Sequence, residues 1–153
     1  MLDRILQKLA GNQKQAETED APDAGQLAYT ALLIEAARID QNYTDTEAAL
    51  IDKLIRKEFA LDAEATTTLR TEAEQAQEEA IDIYRFSSVV KNEFSTEEKI
   101  ELLEGMWEII LSDNESDKYE EMIVRRLIGL IYISDQDSAK ARKRVEARIS
   151  EQS

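Results

Sequence analysis

The chain contains no cysteine and no histidine. Without thiols it has no disulfides, no thiolate nucleophile and no zinc or iron–sulfur site of the thiolate type. Without imidazole it lacks the commonest general base near neutral pH and the commonest transition-metal ligand. Proline occurs once and glycine four times in 153 residues, so few positions interrupt a helix. No apolar run reaches the roughly 18 residues of a membrane span. Residues 1–10 carry Asp3, Arg4 and Lys8 among their apolar side chains, unlike the unbroken apolar core of a signal peptide. Bases are scarce too: 19 Lys and Arg stand against 33 Asp and Glu, a net charge of −14. A phosphate backbone requires a basic face to replace its counterions, which argues against nucleic acid as a partner. Anionic lipid makes the same demand of a whole surface. The expectation is a cytoplasmic protein of one domain's length, able to bury about 70% of its unfolded surface.

What is present is a helical composition written twice. The run Ala31-Leu32-Leu33-Ile34-Glu35-Ala36-Ala37-Arg38-Ile39-Asp40 leads through a polar stretch to Glu47, then to Leu50, Ile51, Leu54 and Ile55. Displaced by 73 positions (113 − 40), Glu108 to Asp113 leads to Glu120, then to Ile123, Val124, Leu127 and Ile128. Glu35 thus pairs with Glu108, Asp40 with Asp113, and Glu47 with Glu120. Equivalent apolar faces require equivalent helix entries, so the repeat predicts two helix–loop–helix halves around one core. The fold class is all-α: a pseudo-two-fold, duplicated bundle of about six or seven helices.

Three segments divide the chain. Residues 1–10 form a short amphipathic helix with Leu2, Ile5, Leu6 and Leu9 on one stripe. Residues 11–25 hold the lone proline and no apolar period, which reads as a flexible linker. Residues 26–150 are the helical body. Isolated helices of ten residues are unstable in water, so the first segment is expected to dock on protein, in cis or on a second copy. Within the body, Thr44-Asp45-Thr46-Glu47 and Ser95-Thr96-Glu97-Glu98 are capping boxes, and Asp62 and Ser134 are helix caps. Apolar residues from Leu69 to Val90 fit one bent helix or two. Trp107, Met106, Phe86 and Tyr84 lie among aliphatics at helical spacing and are expected in the core.

The loops between the repeated helices carry a resemblance. Asp40-Gln41-Asn42-Tyr43-Thr44-Asp45-Thr46-Glu47 and Asp113-Asn114-Glu115-Ser116-Asp117-Lys118-Tyr119-Glu120 resemble the Asp-Gly-x-apolar-x-x-x-Glu pattern of the TerB-like family. That family is named for a tellurite-resistance protein and is related to the N-terminal domain of a DnaJ-type co-chaperone. The stretches Ala80 to Phe86, Leu102 to Glu108 and Tyr119 to Leu127 look like an uncharacterised bacterial branch of it, so the resemblance covers about 26–142. Gln41 and Asn114 replace the family's glycine, and in the second half Ser116 replaces its apolar residue. Asn tolerates a left-handed turn, whereas Gln does so poorly. The resemblance implies a pseudo-symmetric helical bundle with a stress-linked role and no established catalysis.

Two readings of the repeated acids stay open. Asp40, Glu47, Asp113, Glu120, Glu35 and Glu108 supply the oxygen ligands that Ca²⁺ or Mg²⁺ prefers. A standard calcium loop starting at Asp113 fails, since Lys118 stands where it needs Gly and Val124 where it needs a bidentate Glu. The other reading makes these acids caps and braces of the interhelical turns. Arg85, Arg125 and Arg126 offer an anion site, but in so acidic a chain they are expected to pair with carboxylates. Lys140, Arg142, Lys143, Arg144 and Arg148 make a basic C-terminal helix that can dock on the acidic body, on a second copy or on a partner. No phosphate-binding loop or nucleophile elbow is present, so no enzyme is expected. The leading function is a non-enzymatic interaction or sensing module of the stress response, with a protein partner and a homodimer both open. The alternative is a divalent-cation or oxyanion binding domain.

Overall fold

The computed structural model describes residues 23–39, 42–80, 83–113 and 118–152. The amphipathic segment 1–10, nearly all of the linker, Asp40, Gln41 and Asn114 to Asp117 lie outside the described residues. Seven α-helices and no strand occur among the described residues: α1 Ala24–Arg38, α2 Asp45–Phe59, α3 Ala63–Glu79, α4 Tyr84–Glu93, α5 Thr96–Ile110, α6 Lys118–Ile131 and α7 Asp135–Gln152. A 3-10 turn, Leu111–Asp113, follows α5.

Local chemistry sets the helix starts. Thr44 Oγ1 accepts from the Glu47 amide at 3.1 Å while Glu47 Oε1 accepts from the Thr44 amide at 3.0 Å. Ser95 and Glu98 form the same reciprocal pair at 3.1 and 2.8 Å. Each box satisfies two amides that a helix start leaves without partners. Asp62 Oδ1 caps α3 through the Ala65 amide at 2.7 Å, and Ser134 Oγ caps α7 through the Asp137 amide at 3.0 Å. The apolar stretch from Leu69 to Val90 resolves into two helices, α3 and α4, because Ala80 leaves the helical conformation at ψ 143°.

The core is centred on α1 and α5. Helix α1 packs against α2, α3, α4 and α5, while α5 packs against α1, α2, α6 and α7. Surrounded in this way, α1 buries Ala28 to Ile34, Ala36 and Ala37, far more than the single face its spacing predicts. A helix enclosed on all sides is apolar all round. Gly105 permits the close approach of the central pair. A Cβ there would lie 3.1 Å from Leu33 Cδ2 and 3.4 Å from Leu54 Cδ1.

The duplication extends through three helices per half. Helices α1, α2 and α3 correspond to α5, α6 and α7, and α1 packs on α3 as α5 packs on α7. The buried Ile51 and Ile55 of α2 match the buried Val124 and Ile128 of α6 at the 73-residue spacing (124 − 51). Ala60 and Tyr132, 72 apart (132 − 60), are the two non-glycine residues of positive φ among the described residues, at 53° and 65°. Behind them, the Leu61 amide donates to the Arg56 carbonyl and the Ile133 amide to the Ile128 carbonyl. Both second helices therefore end in the same left-handed turn. The spacing drops from 73 to 72 at this turn, and the buried Thr66, Leu69 and Ala73 of α3 match Ser138, Ala141 and Val145 of α7. Helix α4 has no counterpart. It lies between α1 and α6, contacting both.

Candidate functional site

Two polar seams run where the third helix of each half crosses the first, and they engage several of the acids singled out in the sequence. In the first half, Gln77 Nε2 donates to Glu35 at 2.8 Å, and Arg38 Nη1 donates to Gln77 Oε1 at 2.6 Å. The Arg38 guanidinium lies over the Tyr43 ring, 5.1 Å from its centroid. The Tyr43 hydroxyl donates to Glu74, which also accepts from Arg70 Nη1 at 2.8 Å. Arg70 Nε completes the seam on Asp52 at 2.6 Å. Burial, then the bond to Glu74, pushes the Tyr43 hydroxyl pKa above its ordinary value. Burial alone would disfavour the Arg70 charge, but the bonds to Asp52 and Glu74 outweigh it and raise the Arg70 pKa.

In the second half the basic C-terminal helix meets acidic α5. Arg148 bridges Glu104 and Glu108 at 3.0 Å each, and Arg144 reaches Glu104 at 2.8 Å. Of the three docking options for this helix, three of its arginines take the acidic body. The third, Arg142, contacts Glu121 and Glu146 and stacks over Trp107 at 4.5 Å from the ring centroid.

Of the six candidate metal ligands, the four whose side chains are described sit in different surroundings. Glu35 and Glu108 each tie the first helix of their half to the third. Glu47 closes a capping box. Glu120 is buried at the first turn of α6 and holds a partner of its own. Asp40 lies outside the described residues, and Asp113 is placed only by its backbone, in the 3-10 turn. Among the described residues no group of three or more acids is arranged to hold a metal ion.

Two expectations, for one aromatic and for three arginines, need correction. Trp107, Met106 and Phe86 are buried, but Tyr84 is 61% exposed, since it opens α4 on the side turned to solvent. Arg85, Arg125 and Arg126 form no ion pair among the described residues; the pairing arginines are Arg38, Arg70, Arg142, Arg144 and Arg148. Both Arg125 and Arg126 are exposed on α6, off its buried stripe of Val124, Leu127 and Ile128.

Two surface features went unread in the sequence. Helix α6 and its terminal turn expose Met122 at 53% and Tyr132 at 75%, beside exposed Arg125, Arg126 and Gly129. Met122 falls off the stripe of Ile123, Val124, Leu127 and Ile128, a signal that was legible. Next to this face, a cleft of about 380 Å³ between α6 and α7 has Trp107 at its wall, with Glu121, Arg125, Asp135, Ser138 and Arg142 around it. The Trp107 Nε1–H is buried and has no hydrogen-bond acceptor among the described residues. No burial of such a donor is free of cost, so a cleft beside it is a natural place for an acceptor from outside.

Among the described residues no helix is long and apolar enough to cross a membrane. No curated protein and no solved structure is significantly similar to the chain. The sequence profile of the family described as tellurite resistance protein TerB matches residues 26–143, which span α1 to the middle of α7 and hence both halves of the duplication. The chain belongs to the TerB family.

Proposed function

We propose that this TerB-family protein is a non-enzymatic interaction module of a tellurite-related stress response, and that it engages a protein partner through the outer face of α6. The observation that carries this reading is the exposure of Met122 and Tyr132 beside Arg125 and Arg126. Tyr, Met and Arg are the residue types enriched in protein interfaces, and Tyr132, over whose ring Lys91 Nζ lies 4.8 Å from the centroid, keeps most of its surface in solvent. In a chain of net charge −14, two adjacent arginines that pair with no acid among the described residues favour an acidic or mixed-charge partner surface. Catalysis gains no support. Glu35 is engaged by Gln77, Glu47 by its capping box and Glu108 by Arg148, and the chain has no histidine or cysteine to act with them. The test is capture of partners from lysate by the wild-type chain and by the variant Met122→Asp, Arg126→Glu, Tyr132→Ser. A partner retained by wild type and lost from a folded variant supports the reading; equal capture sinks it.

A second reading is favoured by the unpartnered indole of Trp107. Arg125, Arg142 and Ser138 bring donors to the cleft that Trp107 lines, beside the acids Glu121 and Asp135, and the two guanidiniums could hold an oxyanion there. Trp107 is the chain's single tryptophan, so its fluorescence reports this cleft alone. Titration with tellurite and with sulfate should quench it saturably in wild type and not in Arg125→Ala. A calorimetric titration with Ca²⁺ and Mg²⁺ tests the cation version, and a flat trace removes it.

A further inference from the structure

A second cleft lies between α1, α3 and α4 and encloses about 650 Å³. Its walls are Ala24, Leu27, Ala28, Ala76, Ala80, Phe86 and Val89, with Glu79 and Arg85 at the rim. Leu27, Ala76, Ala80 and Val89 are only half-buried and continue the core outward. Its volume falls in the range of about 300–1,000 Å³ typical of sites that enclose several apolar groups. Arg85 makes no hydrogen bond or ion pair among the described residues. An apolar cleft continuous with the core, rimmed by one unpaired base and one acid, calls for a matching occupant.

We propose that the occupant is the N-terminal segment of the same chain, whose stripe of Leu2, Ile5, Leu6 and Leu9 docks in this cleft. Four observations support it. The described chain enters the bundle at the cleft itself, because Ala24 is both the first residue of α1 and part of the wall. Residues 11–22 span roughly 20 Å as a coil by the square-root rule, so they suffice to turn the chain back over its own point of entry. The segment's Asp3, with Arg4 and Lys8, complements a rim made of Arg85 and Glu79. Finally, a ten-residue amphipathic helix requires an apolar partner to form at all. Docking in cis outcompetes a second copy at micromolar protein, because a short tether supplies an effective concentration in the millimolar range.

The absence of native cysteine gives a clean test. Full-length chains carrying Leu6→Cys with Val89→Cys are oxidised at low micromolar concentration and resolved on a non-reducing gel. The reference pair is Leu6→Cys with Lys140→Cys, on α7, which packs against α5 and α6. Intramolecular disulfide should form at least tenfold faster in the Val89 pair than in the reference. Ile5→Cys and Leu9→Cys, each with Val89→Cys, guard against one unsuitable side-chain geometry, since a bridge needs Cα atoms within about 7 Å. If none of the three pairs outpaces the reference, the docking site is wrong. If the product is a disulfide-linked dimer, the cleft belongs to a second copy and the proposal fails in its cis form.

Discussion

Arg70 and Arg142 hold equivalent places in the two halves. Each lies on the third helix of its half, reaches a carboxylate on the second, and pairs with a glutamate four residues ahead. Arg70 contacts Asp52 at 2.6 Å and Glu74 at 2.8 Å; Arg142 contacts Glu121 at 3.3 Å and Glu146 at 3.2 Å. The carboxylate on the second helix is not in register, since Asp52 corresponds to Arg125 at the 73-residue spacing. The bridge was therefore kept while one of its partners moved by one helical turn.

The first-half bridge is shorter and its partners are less exposed, so it should matter more. Arg70→Met leaves Asp52 and Glu74 half-buried without their cation, and should destabilise by about 1–3 kcal/mol. Arg142→Met, whose acids are more solvated, should lose about 0.5–1.5 kcal/mol, part of it the stacking on Trp107. Urea unfolding of both variants checks the order.

Ala60 adopts a left-handed conformation that a Cβ disfavours, with φ 53° and ψ 50°. Ala60→Gly should remove that strain and stabilise by about 0.5–1 kcal/mol. Such a gain raises the melting temperature by about 1–4 °C in a chain of this length. Calorimetry decides, and a lower melting temperature would show that the added chain entropy outweighs the strain.

Gly105 sits where α5 meets α1. Gly105→Val drives two methyls towards Leu33 and Leu54, which already stand 3.1 and 3.4 Å from a Cβ position. Overpacking of this kind costs about 1–3 kcal/mol. Gly105→Ala, which adds one contact and gains helix propensity, should be much milder in the same unfolding assay.

Glu58 should make stability fall as pH rises through the weakly acidic range. Burial, then the neighbouring Glu101 and Glu98, pushes its carboxyl from 4.5 to about 7. Between those values the folded chain keeps a proton that the unfolded chain has released, so folding is progressively disfavoured. The loss is complete above about pH 7. Glu58→Gln should flatten this part of the stability–pH curve and melt higher than wild type at pH 8; an unchanged curve would refute the assignment.

Much of this architecture was legible in the linear sequence because it rests on short-range chemistry. The capping boxes at Thr44 and Ser95 and the caps at Asp62 and Ser134 are decided within four residues. The internal repeat is visible because matching core faces impose matching apolar spacing. The candidate site was less legible. Glu35 and Glu108 read as ligands because oxygen type is visible in a sequence, while the donors that engage them, Gln77 and Arg148, lie about 40 residues away.

What the sequence determined by itself was the helical class, the duplication and the helix starts, since all three depend on neighbours a few residues apart. Only the tertiary structure decided which face of each helix is covered. It enclosed α1 on all sides, turned Tyr84, Met122 and Tyr132 to solvent, and set the basic face of α7 on Glu104 and Glu108. Burial and ion pairing depend on which helices cross, and crossings are fixed by the packing of the whole chain around the α1–α5 pair.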